Sequence, residues 1–276
     1  MTPLIHNKKG WSANLSLGFQ FIEGKTVLAY RNRKGPLAVQ RPFYPEGGTC
    51  HVYLLHPPGG VVGGDSLKIK AKVANQAETL VTTPGATKFY RSSGSTAFQN
   101  QNLSISNHGY LEWFPQENIF FPGARVKMNT LIDLTVSSHL AIWEIHCFGR
   151  PTVGEIFDSG FVDSSLQIFK NKKFIINERL RFNAKTKDRI SLMASRQVSA
   201  TFIMSDIETS NMPLVRKSFP NDQNNHFSAS LIDDFVVVRY LGNSTDTARK
   251  VFIAIWSSLR SSAFGKTSNH PRIWNT

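Results

Sequence analysis

Two adjacent cysteine–histidine pairs are the residues of this sequence best suited to contact a metal ion. They are Cys50-His51 and His146-Cys147, and His56 follows five residues after His51. Imidazole, thiolate and carboxylate groups together suit borderline ions such as Ni²⁺ or Zn²⁺. Neighbouring residues of a strand point to opposite faces, so each pair offers one ligand to any single site. This spacing argues against a structural zinc site. It leaves open a transient metal contact or simple burial of both cysteines.

A glycine-rich segment at residues 59–65, with the sequence GGVVGGD, has the composition of a loop that approaches an anion. Neither G-x-x-x-x-G-K-[ST] nor G-x-G-x-x-G occurs, and Asp65 would repel a phosphate. The sequence also lacks the G-x-S-x-G motif of nucleophilic hydrolases. We therefore expect neither a nucleotide site nor an assembled catalytic centre, and predict that the protein is not an enzyme.

The elements that must position these residues are mostly strands. Apolar residues alternate with lysines over residues 67–73, which is typical of a strand with one buried face and one basic, solvated face. Further short apolar runs predict strands at 80–82, 103–105, 131–136, 140–145, 190–193, 200–204 and 235–240. Turns rich in proline and glycine separate these runs. The pattern predicts a mainly β architecture.

One segment has helical spacing instead. From residue 245 onward, apolar residues recur at the helical period, Ser244 or Thr245 can act as N-cap, and Gly265 can end the helix. We predict an amphipathic helix of about eighteen residues that packs its apolar stripe on a sheet, with part of its surface open to a partner. Residues 205–230 are predicted to be surface loops. No repeat or linker divides the sequence, so one domain over residues 1–276 is expected.

Composition limits the class of protein. The chain has 276 residues, of which 41% are hydrophobic and 18% are charged, which excludes a disordered chain. Its longest strongly apolar run is far shorter than the roughly twenty residues that a membrane-spanning helix needs. Only two cysteines occur, which fits a reducing compartment. We expect a cytoplasmic protein without a membrane partner.

The net charge of +13 raises the question of an acidic partner. The excess is spread along the chain, and the densest stretch, residues 170–189, has the spacing of strands with solvated lysines. This charge fits solvated strands, a docking face for an acidic protein, or a basic nucleic-acid-binding β domain, which we keep as the alternative function.

Several loop segments, read as strings, are specific enough to indicate a family. They are QRPFYPE at 40–46, HPPGGVVGGD at 56–65, TTPGATKFYRS at 82–92, LEWFPQE at 111–117, FPGA at 121–124, GRP at 149–151, VRYLG at 238–242 and PRIWNT at 271–276. In this order they resemble the urease accessory protein UreD (UreH) family. The likeness is clearest over residues 35–160 and is only general over 161–235.

The resemblance implies a mainly β, β-helix-like stack of sheets with one or two α-helices, one of them near the C-terminus. It also implies a non-catalytic maturation factor, a chaperone that acts within a hetero-oligomeric complex. Its partners would be the accessory protein UreF, through UreF the GTPase UreG, and the urease apoenzyme, with no nucleic acid. No cofactor would be tightly bound, and Ni²⁺ would pass transiently on its way to the urease active site.

The candidate residues follow from this implied role. His56 and Asp65, at the two ends of the glycine loop, are the first candidates for lining a nickel path, because an imidazole and a carboxylate can each contact Ni²⁺ briefly. Weaker candidates are Glu144, Glu155, Glu178 and Cys50. We expect tight turns with positive φ at Gly59, Gly60, Gly63 and Gly64. Further motif residues, expected to be structural or to contact partners, are Pro84, Gly85, Lys88, Arg91, Arg150, Arg272 and Trp274.

Overall fold

The computed structural model describes residues 10–186, 188–222 and 224–275. Residues 1–9, Lys187, Gln223 and Thr276, which the single-domain expectation includes, lie outside the described residues. The strands are β1 (Ser12–Ile22), β2 (Lys25–Lys34), β3 (Ala38–Val39), β4 (Cys50–Leu55), β5 (Ser66–Val73), β6 (Glu78–Thr82), β7 (Thr87–Phe89), β8 (Ala97–Ile105), β9 (Tyr110–Phe114), β10 (Asn118–Phe120), β11 (Arg125–Leu134), β12 (His139–Arg150), β13 (Glu155–Ile156), β14 (Phe161–Lys170), β15 (Lys173–Asn183), β16 (Val198–Met204), β17 (His226–Ile232) and β18 (Phe235–Gly242). The helices are α1 (Met212–Lys217) and α2 (Thr245–Phe264).

The strands form two stacked sheets. One has seven strands in the order β15-β14-β11-β8-β5-β1-β2, and the other has eleven strands, eight of them in the order β17-β18-β16-β12-β9-β6-β4-β3. The chain crosses repeatedly from one sheet to the other, so that β5, β8, β11 and β14 pair in parallel in the first sheet while β4, β6, β9 and β12 do so in the second. This confirms the predicted stack of sheets, resembling a β-helix.

The eleven-stranded sheet is the middle layer of the molecule. One of its faces packs on the seven-stranded sheet, burying residues such as Val52 and Ile142 against Leu103 and Ile132. Its other face packs under α2, where Trp143 lies with helix residues in a second apolar cluster. Neighbouring residues of its strands therefore serve two different cores, which explains why β12 is almost continuously buried.

Helix α2 matches its prediction closely. The side chain of Ser244 accepts a hydrogen bond from the backbone N–H of Thr247, which caps the N-terminus, and Gly265 ends the helix in the left-handed conformation with φ 64°. Its buried residues are Ala248, Val251, Phe252, Ile255, Trp256, Leu259 and Arg260. The predicted packing of the apolar stripe on a sheet is confirmed, and the stripe also carries one buried arginine.

Two segments differ from their predictions. Residues 190–193 do not form a strand, because the N–H groups of Leu192, Met193 and Ala194 all bond back to the carbonyl of Arg189 in a local turn. Residues 205–230 are not loop throughout, since they contain α1 and most of β17. Strand β17 pairs with β18 at the sheet edge, where its short alternation of polar and apolar residues gives a weak sequence signal.

Candidate functional site: a polar cavity path between the sheets

A cavity of about 220 Å³ lies between the two sheets. Its apolar wall includes Leu54, Ile69 and Trp113. Four polar residues of its lining, Gln99, Gln101, Asn118 and Glu144, are more than nine-tenths buried. His56, Lys88 and the loop containing Pro84 and Gly85 also line it. We call this space the first cavity.

The two glutamines are functional candidates that sequence reasoning missed. The segment AFQNQNLSI of β8 looks polar for most of its length, yet its burial alternates strictly. Gln99 and Gln101 occupy the same face as Leu103 and Ile105, so their amides point between the sheets. The sequence signal that could have found them is the spacing of two residues, which puts both glutamines on the same strand face as Leu103 and Ile105.

Glu144 connects the first cavity to a second one. Its Oε1 accepts a hydrogen bond from Thr130 Oγ1 at 2.7 Å, and its Oε2 lies 3.5 Å from His146 Nε2. Both Glu144 and His146 lie on the face of β12 that is turned toward the seven-stranded sheet, while Trp143 and Cys147 belong to the core under α2. The carboxylate of Glu144, a weaker candidate in the sequence, thus lines both cavities.

The second cavity, of about 110 Å³, continues from Glu144 toward β15 and β18. His146, Ser164 and Thr201 line it, together with Glu178 and Arg239. These last two side chains form a bidentate ion pair, with Arg239 Nε 3.0 Å from Glu178 Oε2 and Arg239 Nη2 2.5 Å from Glu178 Oε1. The hydrogen bonds that Arg239 donates to Glu178 raise the pKa of Arg239, so the guanidinium stays charged.

The two residues at the ends of the glycine loop have different positions. His56 lines the first cavity, where burial lowers the pKa of its imidazole and the charge of Asp65 partly opposes that effect. Asp65 instead accepts hydrogen bonds from the backbone N–H of Trp11 at 2.7 Å and of Val62 at 2.9 Å. Both of its oxygens are thus engaged by backbone, and the carboxylate fastens the loop to the start of β1.

The four loop glycines are required for two different reasons. Gly59 and Gly64 have φ values of 76° and 96°, as expected for tight turns. The expectation of positive φ is wrong for Gly60 and Gly63. A Cβ at Gly60 would lie 2.2 Å from the ring of Tyr90, and one at Gly63 would lie 2.1 Å from a neighbouring serine hydroxyl, so these two glycines permit close packing.

The two cysteines are poorly placed for contact with a metal ion. Cys50 is completely buried and Cys147 is 5% exposed. Burial raises the pKa of the Cys50 thiol to about 11 and that of the Cys147 thiol to about 12, so both remain neutral at physiological pH. The thiolate, not the thiol, is the metal ligand. Within the described residues, no group of three histidine, cysteine, aspartate or glutamate side chains is arranged to hold a metal ion.

The remaining predicted residues lie away from the cavities, apart from the loop at Pro84, Gly85 and Lys88. Glu155 forms a bidentate, exposed ion pair with Arg150, whose guanidinium also lies over the ring of Phe121. Arg91 and Arg272 are exposed. Trp274 is buried, and its Nε1 donates to Thr82 Oγ1 at 3.0 Å, so it fastens the C-terminal segment to the core.

A buried ionic network beneath α2 is a second feature that sequence reasoning missed. Arg260 and Glu112 are both completely buried, and two hydrogen bonds of 2.9 Å join them. Arg260 also donates to Glu46 Oε2 at 2.6 Å, while Trp256 and Tyr110 donate to Glu112. Burial alone lowers the pKa of Arg260, but the two carboxylates outweigh it and raise that pKa. Arg260 follows Trp256 by four residues, so helical spacing is compatible with its burial but does not indicate its partners.

Comparison with known proteins identifies the family. A family model described as UreD urease accessory protein matches residues 12–275. The chain belongs to this family. Proteins named urease accessory protein UreD are 43% identical in Alcanivorax borkumensis, over 97% of this chain and 93% of the relative, and 42% identical in Klebsiella aerogenes, over 98% of each. A third, from Escherichia coli, is 40% identical over 97% of this chain and 98% of the relative.

UreD membership confirms the resemblance seen in the loop motifs and implies a role in urease maturation. The protein is a non-catalytic accessory factor, not an enzyme. In the described residues, no helix combines the length and apolar character needed to cross a membrane.

Proposed function

We propose that this protein is the scaffold through which nickel reaches the urease apoenzyme. In this role it works in the cytoplasm, bound to UreF, through UreF to the GTPase UreG, and to the apoenzyme itself. The observation that carries the proposal is the pair of cavities that share Glu144 between the two sheets. Nickel is the cargo of this path and not a resident cofactor.

The lining chemistry supports passage of a divalent cation. The path offers imidazoles at His56 and His146, amides at Gln99 and Gln101, and a carboxylate at Glu144. A second carboxylate, at Glu178, is paired with Arg239. Conduction needs contacts that are favourable enough to admit an ion and weak enough to release it. Single, spaced oxygen and nitrogen ligands meet this requirement better than a closed set of thiolates and imidazoles would.

The geometry divides the candidates predicted from sequence into two groups. His56, Glu144 and Glu178 line the path and keep their proposed roles. Asp65 fastens the glycine loop, Glu155 belongs to an exposed ion pair, and Cys50 is enclosed in the core. We therefore propose no nickel contact for these three residues.

The proposal predicts that removing one path carboxylate lowers the nickel content of urease without weakening the binding of the partners. Glu144→Gln keeps the size of the side chain and an oxygen that can accept from Thr130, but removes the negative charge. Each variant is co-expressed with the urease subunits, UreF and UreG, and urease is purified for measurement of nickel per active site. We expect Glu144→Gln and Glu178→Gln to give urease with severalfold less nickel, while co-purification of UreF remains unchanged.

The matched control is Glu155→Gln, which removes the same charge from an exposed ion pair outside the path. It should give fully loaded urease. Full nickel loading by both path variants would refute the path. Loss of UreF from the complex in the path variants would assign the two glutamates to partner binding instead.

A further inference from the structure

The outer face of the seven-stranded sheet is an open surface with a strong excess of positive charge. Both helices pack on the other sheet, leaving this face to solvent. Along β5, Lys68, Lys70 and Lys72 alternate with buried residues and are exposed. Among the described residues, no carboxylate lies within salt-bridge distance of these three lysines.

The strand register extends this surface over the whole sheet. Lys68 is level with Asn14 and Lys34 on one side, and with Asn100 and Asn129 on the other. Lys70 is level with Ser16 and Asn32, and with Asn102. Strands lie about 4.8 Å apart, so each row crosses the seven strands over about 29 Å. We call the outward-facing side chains of this sheet the basic face.

The acidic residues on this face are few and partly neutralised. Asp163 is engaged by Arg179, with Nη2 3.0 Å from Oδ2, and lies 3.7 Å from Arg181 Nε. Asp133 lies on β11 and is level with Ser104 of β8 and, beyond it, with Lys72 of β5, so one strand separates it from the lysines. The lysines themselves have no such partner in the described part of the chain, so their charge is available to an external anion.

A groove lies beside the lysines of β5. It is lined by Gly18, Gln20, Tyr30, Lys70, Lys72 and Ser104. The register of β1 with β2 shifts between Gly18 and Phe19, and Gly18 has no side chain to fill the space. Tyr30, across from Gly18, is 54% exposed. An exposed tyrosine beside a groove is the kind of anchor that protein interfaces use, because it contributes area at low entropic cost.

We propose that the basic face, with Tyr30 and the groove at Gly18, is a docking surface for an acidic segment of a protein partner. Alternate residues of an extended segment lie about 6.8 Å apart, which matches the spacing of Lys68, Lys70 and Lys72 along β5. The side-chain amides of Asn100 and Asn102, level with Lys68 and Lys70 on the next strand, can both donate and accept hydrogen bonds, as a peptide backbone requires.

The same features disfavour a nucleic acid. Binding of single strands relies on aromatic side chains on which successive bases stack. The exposed aromatics Tyr30 and Phe98 lie at the margins of the lysine cluster and are not interleaved with it. An acidic protein segment therefore fits this surface better than an oligonucleotide does.

The test uses the full chain and two defined probes. One is a fluorescent peptide of alternating glutamate and serine, and the other is a single-stranded oligonucleotide of equal charge, each titrated by fluorescence anisotropy at increasing salt. The test variant carries Lys68→Gln, Lys70→Gln and Lys72→Gln. Its matched control carries Lys172→Gln, Lys185→Gln and Lys217→Gln, which remove the same charge from exposed positions elsewhere.

We expect the peptide to bind the wild type in a salt-sensitive manner, and the test variant to lose about tenfold in affinity. The control should stay within about twofold of the wild type, because only net charge has changed. Tyr30→Ser should also weaken peptide binding, and its thermal unfolding curve identifies any loss of fold. Equal losses in both triple variants would overturn the proposal, as would tighter binding of the oligonucleotide through the same lysines.

Discussion

At the scale of single residues, charges in this protein have three distinct environments. Glu144 faces two cavities and is held by the Thr130 hydroxyl, whereas Glu155 is partly exposed and paired with Arg150. Glu112 is completely buried and accepts hydrogen bonds from Arg260, Trp256 and Tyr110. Of these three carboxylates, Glu144 is the least satisfied within the chain, because Glu155 and Glu112 are fully paired. Glu178, in the second cavity, shares its charge with Arg239.

The Arg260–Glu112 pair should be far more important for stability than the surface pair. Breaking a buried pair leaves an uncompensated charge in the core, which costs about 3–5 kcal/mol. Arg260→Met should lower the free energy of unfolding by that amount in urea titrations. The matched variant Arg150→Met breaks an exposed pair and should cost about 1 kcal/mol or less. Similar losses in the two variants would show that Arg260 is held mainly by packing.

At the scale of elements, the parts predicted best are those whose pattern is set by one buried face. Strand β5 alternates cleanly because it has one core face and one basic face, and α2 has a continuous stripe between its two caps. Strands β1 and β2 were not predicted, although β1 alternates in burial, and β2 is an exposed edge strand. The run at 190–193 was wrongly predicted because apolar residues also occur in a locally bonded turn.

The N-cap of α2 gives a test at this scale. Ser244→Ala removes the acceptor for the N–H of Thr247 and should lower the free energy of unfolding by about 1 kcal/mol. Ser261→Ala, at an exposed position in the same helix, keeps both caps and should change it by less than about 0.5 kcal/mol. Urea unfolding monitored by circular dichroism measures both. A loss in the second variant as large as in the first would remove the cap as the explanation.

At the scale of the whole molecule, the cavity path is the feature that sequence could not give. The path is lined by residues from separate strands and loops, including His56, Gln99, Glu144 and Glu178. They come together only because the chain crosses between the two sheets. Local patterns predicted fewer than half of the strands, among them β5, β12 and β18, and they do not indicate which strands pair. The family resemblance implied a nickel route, and His56, Glu144 and Glu178 were candidates for it from the sequence. That they line two cavities together with Gln99 and Gln101 could be seen only in the three-dimensional arrangement.

The shared middle sheet predicts that the protein unfolds as one domain. Its strands bury one face against the seven-stranded sheet and the other under α2, so loss of either core should release both. Ile132→Ala, in the core between the sheets, should cost about 2–5 kcal/mol. Hydrogen exchange should show the same loss of protection in α2 as in β11, although Ile132 belongs to the other core. Val136→Ala, at a position 66% exposed, should leave both unchanged. Protection of α2 that survives Ile132→Ala would divide the molecule into two independent units.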